Sequence, residues 1–460
     1  MTHVAVVGAG WAGLAAAVRA VQAGHRVTLL EMAPLPGGRA RSDDGGVGTD
    51  NGQHLLVGAY VRCLDLMRTV GVDPGAALHR LPLTLRFPDG SGLSLPVAAT
   101  RAGQALGAAR ALVGARGWTW RDRLALVRGL AAWRRAGFAC PPALTVDQLL
   151  RPWATPALRQ RLLDPLCIAA LNTPPATASG QVFLATLRDA LFGAPDGASF
   201  LLPRVPLGAL LPVPAVAWLR AHGADVRLRT RVTRLVPEEG PALPAATGAH
   251  ARWRLHLGDD TATLAVDAVV LAASASEAAR LVAPLDPDWA AVAAALPQEP
   301  IVTITWRATA TLPPWPGATP ILALEAGDPG DPLPPRGGRP AQFVFRFPGD
   351  ALDPRERLVA VVSAASAALC AGQAALADAA TAQLQEALAR TAPTALVPTS
   401  LVLESVRADR RATFRCDAGL RRPAPQVAPG LRVAGDYVDS PWPATLESAV
   451  RSGEAAAAAL

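Results

Sequence analysis

Apolar residues open the chain in a short unbroken run and later spread into periodic patterns. His3 to Val7 reads HVAVV, too short for a helix and rich in β-branched residues, which predicts a strand. A glycine-bearing turn follows, then a helix from Ala12 to Ala23, then a second strand, HRVTLLE, ending at Glu31. From Ala76 to Phe200 the spacing is mostly helical. ADVRLRTRVTRLV (Ala224 to Val236), RWRLHLG and AVDAVVLAAS predict strands, with Pro241 to Ala249 as a surface loop between them. IVTITWR, AQFVFRF and LVAVVSA predict an antiparallel sheet interrupted by the proline- and glycine-rich stretch Gly327 to Arg339. The stretch from Leu358 is weakly apolar, but β-branched residues at its start and polar faces in AALCAGQAALADAATAQLQEALA predict a strand and a helix, not a membrane span. The end, Leu431 to Leu460, predicts a short strand, a proline-bearing loop and a helix opening near Ala444-Thr445.

The first strand, turn and helix carry the clearest chemistry. Gly8 allows a tight turn out of the strand, Gly10 lets backbone N–H groups approach a phosphate, and Gly13 lets the helix pack close on the sheet. The backbone of Ala9, Trp11 and Ala12 belongs to the same turn, and the helix N-terminus presents unpaired N–H groups and partial positive charge. Glu31, followed by Met32, stands where an acid binds ribose hydroxyls. These residues predict a dinucleotide site.

Gly37-Gly38-Arg39 resembles the extension of this fingerprint in glutathione-reductase-like flavoproteins, which implies FAD, with Gly38 and Arg39 along the pyrophosphate. Gly435-Asp436 and the helix after it resemble the end of amine oxidases and phytoene desaturases. That likeness implies Asp436 on the ribityl chain or pyrophosphate, the backbone of Thr445 and Leu446 facing the flavin ring, and a backbone contact from Val232 to adenine. The segments DNGQHLLVGAY, DPLCIAALNTPPATASGQVFLATLRDALFG and GDYVDSPWPATLESAVRSGEAAA look like the squalene-associated FAD-dependent desaturases, the hydroxysqualene dehydroxylase family.

Because the first and last flavin motifs bracket everything else, the flavin domain must be discontinuous, and with the helical and strand patterns between them the expectation is an α/β fold: a glutathione-reductase-like Rossmann FAD domain from 1–75, 201–295 and 401–460, and an α+β substrate domain with an antiparallel sheet from 76–200 and 296–400. The last resemblance implies a reaction, reductive removal of the hydroxyl of hydroxysqualene to give squalene in hopanoid or triterpene formation. The chemistry needs a hydride donor, a dry apolar tunnel and a group that assists the departing hydroxyl. His54, in the block Asp50 to His54 with Gly52 and Gln53 beside the flavin, is the candidate acid, or else a structural histidine holding the Asp50 loop. Asp50 is the candidate to orient it or to touch the cofactor, and Asn172 to contact the hydroxyl, unless Asn172 only turns the chain before Pro174. The one evident dinucleotide fingerprint is taken by FAD, so the electron donor is left open between NAD(P)H binding transiently, a ferredoxin and another reduced carrier.

Composition narrows the partners. Hydrophobic residues make up 51% of the chain and the formal net charge of +7 rests on arginine alone, since the sequence has no lysine. Its arginines form no dense run of the kind that tracks nucleic acid. Thr100 to Phe138 instead combines eight arginines with Trp118, Trp120, Trp133 and leucines at helical spacing, which predicts either a solvated helical face or peripheral contact with a membrane. Five cysteines without a CxxC predict free thiols and no metal site, and a first strand that begins at once leaves no room for a signal peptide. A cytoplasmic protein, peripheral on the cytoplasmic membrane face, is the expectation. A carotenoid- or phytoene-type desaturase shares these features with hydride flow reversed. An amine oxidase is disfavoured by the missing lysine, and a prenyl-lipid carrier would need no proton donor.

Overall fold

In a computed structural model of the chain, the described residues are 1–42, 50–238, 252–258, 262–310, 312, 314–334, 337–349, 355–391 and 401–460. The architecture is mixed α/β, with a parallel sheet and an antiparallel sheet facing each other across a cleft. The loop expected at Pro241 to Ala249 lies outside the described residues.

Strand β1 (His3–Val7) sits inside a six-stranded sheet, flanked in parallel register by β2 (Arg26–Leu30) and by the strand Ala268–Leu271. Asp225–Arg227 extends the sheet beyond β2, and Leu431–Val433 extends it on the other side, with only Gln426–Ala428 antiparallel. The continuous apolar run of β1 follows from this placement: Val4, Ala5 and Val6 are wholly buried because both faces are covered. AVDAVVLAAS was expected to form one strand. It forms two, Ala262–Val266 in a separate three-stranded meander and Ala268–Leu271 in the parallel sheet.

Helix α1 (Trp11–Gln22) and the C-terminal helix Leu446–Ala458 pack against each other on one face of this sheet. Their contact is backbone against backbone: a Cβ on Gly453 would lie 2.0 Å from the Ala12 carbonyl oxygen. Ala12 and Ala15 lie directly against Gly453, and Ala16, Ala17, Ala456 and Ala457 are buried in the same cluster, so small side chains here let the two helices approach. Glu447 at the start of the C-terminal helix accepts from the backbone N–H of Arg62 (3.1 Å) and Cys63 (2.9 Å), placing a carboxylate at the N-terminus of the helix Val61–Thr69.

The antiparallel sheet has the order Ile321–Ala323, Phe343–Phe347, Arg357–Val362, Gln298–Ala308, Leu401–Phe414. Along Gln298–Ala308 the period of two divides the faces. Val302, Ile304 and Trp306 pack with Leu376, Ala380, Leu384 and Leu388 of the helix Gln373–Thr391, while Ile301 and Thr303 face the cleft. The segment from residue 401 onward was assigned to the flavin unit. Leu401–Phe414 instead pairs antiparallel with Gln298–Ala308, so hydrogen bonding places that strand in the second sheet.

The span Ala76 to Phe200, expected to be mostly helical, opens instead with the strands Leu78–Leu81, Leu83–Arg86 and Gly92–Leu95; it is mostly helical from Arg101 to Arg188, and the helix Asp164–Leu171 reaches the cleft through Ala169 and Ala170. A π-helical turn, Arg159–Leu163, precedes it, and Pro165 in its first turn has no N–H to continue an α-helical ladder.

Because the seam at Gly453 leaves no room for a side chain, Gly453→Val should cost about 2 kcal/mol or more in denaturant unfolding. The same variant should lose bound flavin in parallel, since both helices of the seam open onto the cleft; retention of stability and flavin would contradict the contact.

Candidate cofactor and active site

The cleft holds about 680 Å³ and opens at the carboxyl ends of β1, β2 and Ala268–Leu271, lined there by Val7, Leu30 and Ala272. Gly8 adopts φ +107° and its N–H donates to the Leu30 carbonyl (2.7 Å), which turns the chain sharply into α1. A Cβ on Gly13 would stand 1.8 Å from the Gly8 carbonyl oxygen, so the helix is as close to the turn as a backbone permits. The first turn of α1 has no acidic residue, and Gly10, Trp11 and Ala12 line the cleft with the helix's positive end toward it.

Glu31 is buried and held by two backbone donors, Ala9 N–H to Oε2 (2.6 Å) and Ala33 N–H to Oε1 (2.8 Å). These contacts leave carboxylate lone pairs for hydroxyl groups in the cleft. Met32 lines the same wall, and Val232 stands near it with Thr230 and Arg231. Ala9 lies buried behind the turn with its N–H spent on Glu31. Gly37 N–H donates to the Ala9 carbonyl (2.8 Å), and Gly38 presses against Gly10, which ties the second glycine motif to the first.

Arg39 and Asp436 come from opposite ends of the chain and meet as an ion pair at 2.5 Å, with Arg39 also donating to the Ala412 carbonyl (2.8 Å). Next to Asp436, Gly435 N–H donates to the Ser452 hydroxyl (3.0 Å) and the Tyr437 hydroxyl to the Ala273 carbonyl (3.2 Å). Thr445 caps the C-terminal helix by accepting from Ser448 N–H (3.1 Å), and Thr445, Leu446 and Ala449 bring a second helix N-terminus to the wall.

Sequence reasoning missed the residue that shapes this stretch. Arg422 donates to five backbone carbonyls, of Asp436, Tyr437, Val438 (2.5 Å), Ser440 (2.8 Å) and Trp442 (2.7 Å), so every N–H of its guanidinium is used on one loop. It also lies over the Phe414 ring at 4.6 Å. No local signal marks it, since its partners are carbonyls that any sequence supplies. Asp409, which lines the cleft from Leu401–Phe414, was likewise unremarked among the charged residues of that strand.

The far wall carries the residues expected to handle the hydroxyl. His54 lines the cleft with Gly52 and Gln53, and its Nδ1–H donates to the Gly52 carbonyl (3.0 Å). Because a carbonyl only accepts, the neutral ring carries its proton on Nδ1 and leaves Nε2 as an acceptor. Burial pushes its pKa below the ordinary value, against the hydrogen bond it donates to the Gly52 carbonyl and the charge of Asp50, so the ring resists becoming the acid that was expected. The Asp50 carboxylate turns away from the cleft, accepting from the Ser42 hydroxyl (2.6 Å) and Leu207 N–H (3.0 Å), while its own carbonyl accepts from Arg407 (2.9 Å). Asp50 therefore fastens the loop. Asn172 reaches the wall in the left-handed conformation (φ 47°), but both its N–H donors are engaged, by the Glu299 carbonyl (3.2 Å) and the Thr413 hydroxyl (2.9 Å), and its oxygen accepts from Ala364 N–H (2.7 Å). No donor remains on Asn172 for a substrate hydroxyl; it locks three segments together behind the wall. Thr303, Ser363 and Asp409 complete that end with Ile301, Ala169 and Ala170, a mixed lining and not the wholly apolar one expected.

Two helix N-termini, an acid held by backbone N–H and an arginine in one cleft fit a dinucleotide whose far end reaches the second sheet, and they define a flavin-dependent oxidoreductase. The chain belongs to the flavin containing amine oxidoreductase family, whose model matches residues 11–460, and its cofactor is FAD. It is 29% identical to a hydroxysqualene dehydroxylase of Rhodopseudomonas palustris, over 98% of this chain and 96% of that one. It is 31% identical to a phytoene dehydrogenase of Streptomyces griseus, over 51% of this chain and 49% of that one. In fold it is similar to cyclohexylamine oxidase from Brevibacterium oxydans, with a TM-score of 0.66 at 17% identity, covering 100% of this chain and 98% of that structure.

Arg422→Met would strand five carbonyls, and is expected to cost about 3 kcal/mol and to weaken FAD binding at least tenfold, by thermal unfolding with and without FAD. Arg422→Lys, with three donors, should recover only part of this. For His54, a folded-state pKa below the unfolded value means stability that is present above about pH 6.5 and lost as pH falls toward the folded pKa. His54→Gln should therefore lose less melting temperature than wild type between about pH 7.5 and pH 5; equal losses would show that His54 is not held neutral.

Proposed function

We propose that the chain is an FAD-dependent dehydroxylase that converts hydroxysqualene, or a similar triterpene prenyl alcohol, to its deoxygenated product in hopanoid or triterpene formation. The observation that carries this reading is likeness along the entire chain to a hydroxysqualene dehydroxylase, where the phytoene dehydrogenase matches about half. The absence of lysine argues against amine oxidation, for which the family resemblance implies a lysine near the flavin. The finer description of the fold as a glutathione-reductase-like Rossmann domain with a separate α+β substrate domain belongs to the same reading. It is supported by the parallel strands around β1 and by the cleft between the two sheets.

When bound and reduced, FAD supplies a hydride to the allylic carbon as its hydroxyl leaves as water, so one proton must reach that oxygen. The protein's part is to hold the cofactor and govern the proton. Backbone N–H groups at Gly10, Trp11 and Ala12 and the Arg39 guanidinium would hold the diphosphate, Glu31 the ribose hydroxyls, and Asp436 the ribityl chain. Thr445 and Leu446 would turn a helix N-terminus, and its partial positive charge, to the flavin ring.

His54 has Nδ1–H fixed on Gly52, so Nε2 can accept a hydrogen bond from the substrate hydroxyl and orient it. Protonation at Nε2 would convert it to a donor, and its lowered pKa makes that proton easy to give up. Asp50 and Asn172 act as positioning residues: Asp50 anchors the loop that carries His54, and Asn172 joins the wall from behind.

The test is anaerobic. FAD-loaded protein is reduced chemically, mixed with hydroxysqualene, and followed by flavin absorbance together with product analysis. Flavin reoxidation with one squalene per flavin is expected. Reduced flavin that persists, together with bleaching of oxidised enzyme by phytoene or squalene, would replace this reading with a desaturase running hydride the other way. Binding of lipid and FAD without conversion in either direction would make the chain a carrier.

A further inference from the structure

We propose that the segment carrying the consecutive helices Arg101–Val113 and Trp120–Arg135 is a docking face for an anionic lipid bilayer. The first observation is where the charge lies. Thr100 to Phe138 contains eight arginines and one acid, Asp122, a surplus of seven, and the whole chain has a formal net charge of +7 from 44 basic and 37 acidic residues. The remaining residues hold 36 of each sign, so the rest of the protein is neutral and its entire excess charge sits on Thr100 to Phe138. Asp122 does not offset it at the surface: it is buried, accepting from Thr119 N–H (2.7 Å) and the Thr155 hydroxyl (2.6 Å) as part of the helix cap. Among the described residues, Arg110, Arg116, Arg121, Arg128 and Arg135 form no ion pair.

The second observation is independent of charge. Six of the twelve large apolar side chains exposed among the described residues fall between Val97 and Val127, including Trp120, 72% exposed, and Val113, 62% exposed. On the second helix Trp120, Leu124 and Val127 are spaced i, i+4, i+7 and form one stripe. Arg121, Arg128 and Arg135 run along one side of it, and Arg134 lies on the other. An apolar stripe bordered by arginines suits the boundary of a bilayer, where the stripe enters the acyl region and the guanidinium groups rest among phosphates.

The second helix is anchored so that this stripe is held outward. Trp118 just before it and Leu126 and Trp133 on its inner side are buried, with Trp133 edge-on to Trp153 at 5.2 Å, in a hydrophobic cluster that continues to Leu163, Cys167 and Leu171 near the cleft. Arg123 closes the turn between the helices by donating to the carbonyls of Leu112 (2.9 Å), Val113 (3.2 Å), Ala115 (2.8 Å) and Trp118 (2.8 Å), and lies over the Trp120 ring at 4.9 Å. A nucleic acid would satisfy the arginines and leave the stripe in water, and a second copy would bring seven like charges against seven. A lipid surface satisfies both. No helix among the described residues is long and apolar enough to cross a membrane, so the contact is peripheral. This inference rests on the surface alone and stands whichever isoprenoid the cleft turns over.

The experiment is co-sedimentation of the FAD-loaded full chain with vesicles of phosphatidylcholine, alone or in equal mixture with phosphatidylglycerol. Binding should be at least about tenfold stronger to the anionic vesicles and should fall when salt is raised from about 0.1 M to about 1 M. Arg121→Glu with Arg128→Glu should weaken it about tenfold or more, and Trp120→Ser with Leu124→Ser should weaken it comparably, with FAD content and melting temperature unchanged because all four side chains face solvent. Binding indifferent to headgroup charge, or surviving both pairs of substitutions, would overturn the proposal. So would duplex-DNA binding of similar strength, or a wild-type dimer that the Trp120/Leu124 pair splits.

Discussion

Two helices drawn from the two ends of the chain touch through their backbones, and the site depends on that contact. Gly13 lets α1 descend onto the turn at Gly8, and Gly453 lets the C-terminal helix descend onto α1 at Ala12. With both helices held close, two N-termini converge on one cleft, the first at Gly10 to Ala12 and the second at Thr445 and Leu446. Alanine elsewhere along the seam buries small apolar surface without forcing the axes apart. The same closeness carries Glu447 to the N-terminus of Val61–Thr69, so the last helix of the protein also caps its second.

Polar groups around the cleft are satisfied by partners far away in sequence, which makes the walls rigid before any cofactor enters. Arg422 spends its whole donor set on one loop, Asn172 spends its amide on three segments, and Asp50 holds two others through Ser42 and Leu207. An unpaired buried amide or guanidinium would cost about 1–3 kcal/mol or more, so each of these contacts favours one arrangement of the loops over its alternatives. The groups left to act are few. Glu31 keeps lone pairs, His54 keeps Nε2, and Arg39 shares its charge with Asp436 at the point where a diphosphate and a ribityl chain are expected.

Charge is distributed with a similar division. The body that surrounds the cleft is electrically balanced, with ion pairs such as Arg346–Glu356 and Arg390–Glu325 joining its elements. The surplus is confined to the segment Thr100 to Phe138, which Trp118 and Trp133 anchor in the core. The water-insoluble substrate proposed for the cleft and a cationic, apolar-striped projection are compatible features of one molecule, because both refer to an acyl phase.

What the sequence determined by itself was whatever depends on neighbours within some thirty residues. The strand–turn–helix from His3 to Gln22, the acid at Glu31, the glycines before Arg39 and the C-terminal strand, loop and helix were legible because their hydrogen bonds and turn conformations are local. The pairing of Arg39 with Asp436 was foreshadowed only as a shared destination. The sequence could assign a period of two to Leu401–Phe414 but not the sheet it joins, since alternation marks faces and not partners. Nor could it say that Asp50 turns from the cleft, that the donors of Asn172 are already committed, or that Arg422 gathers five carbonyls. Those outcomes were decided by tertiary structure, because a hydrogen bond's energy depends on which donor and acceptor arrive at the same place, and residues hundreds of positions apart are brought together only by the packed fold.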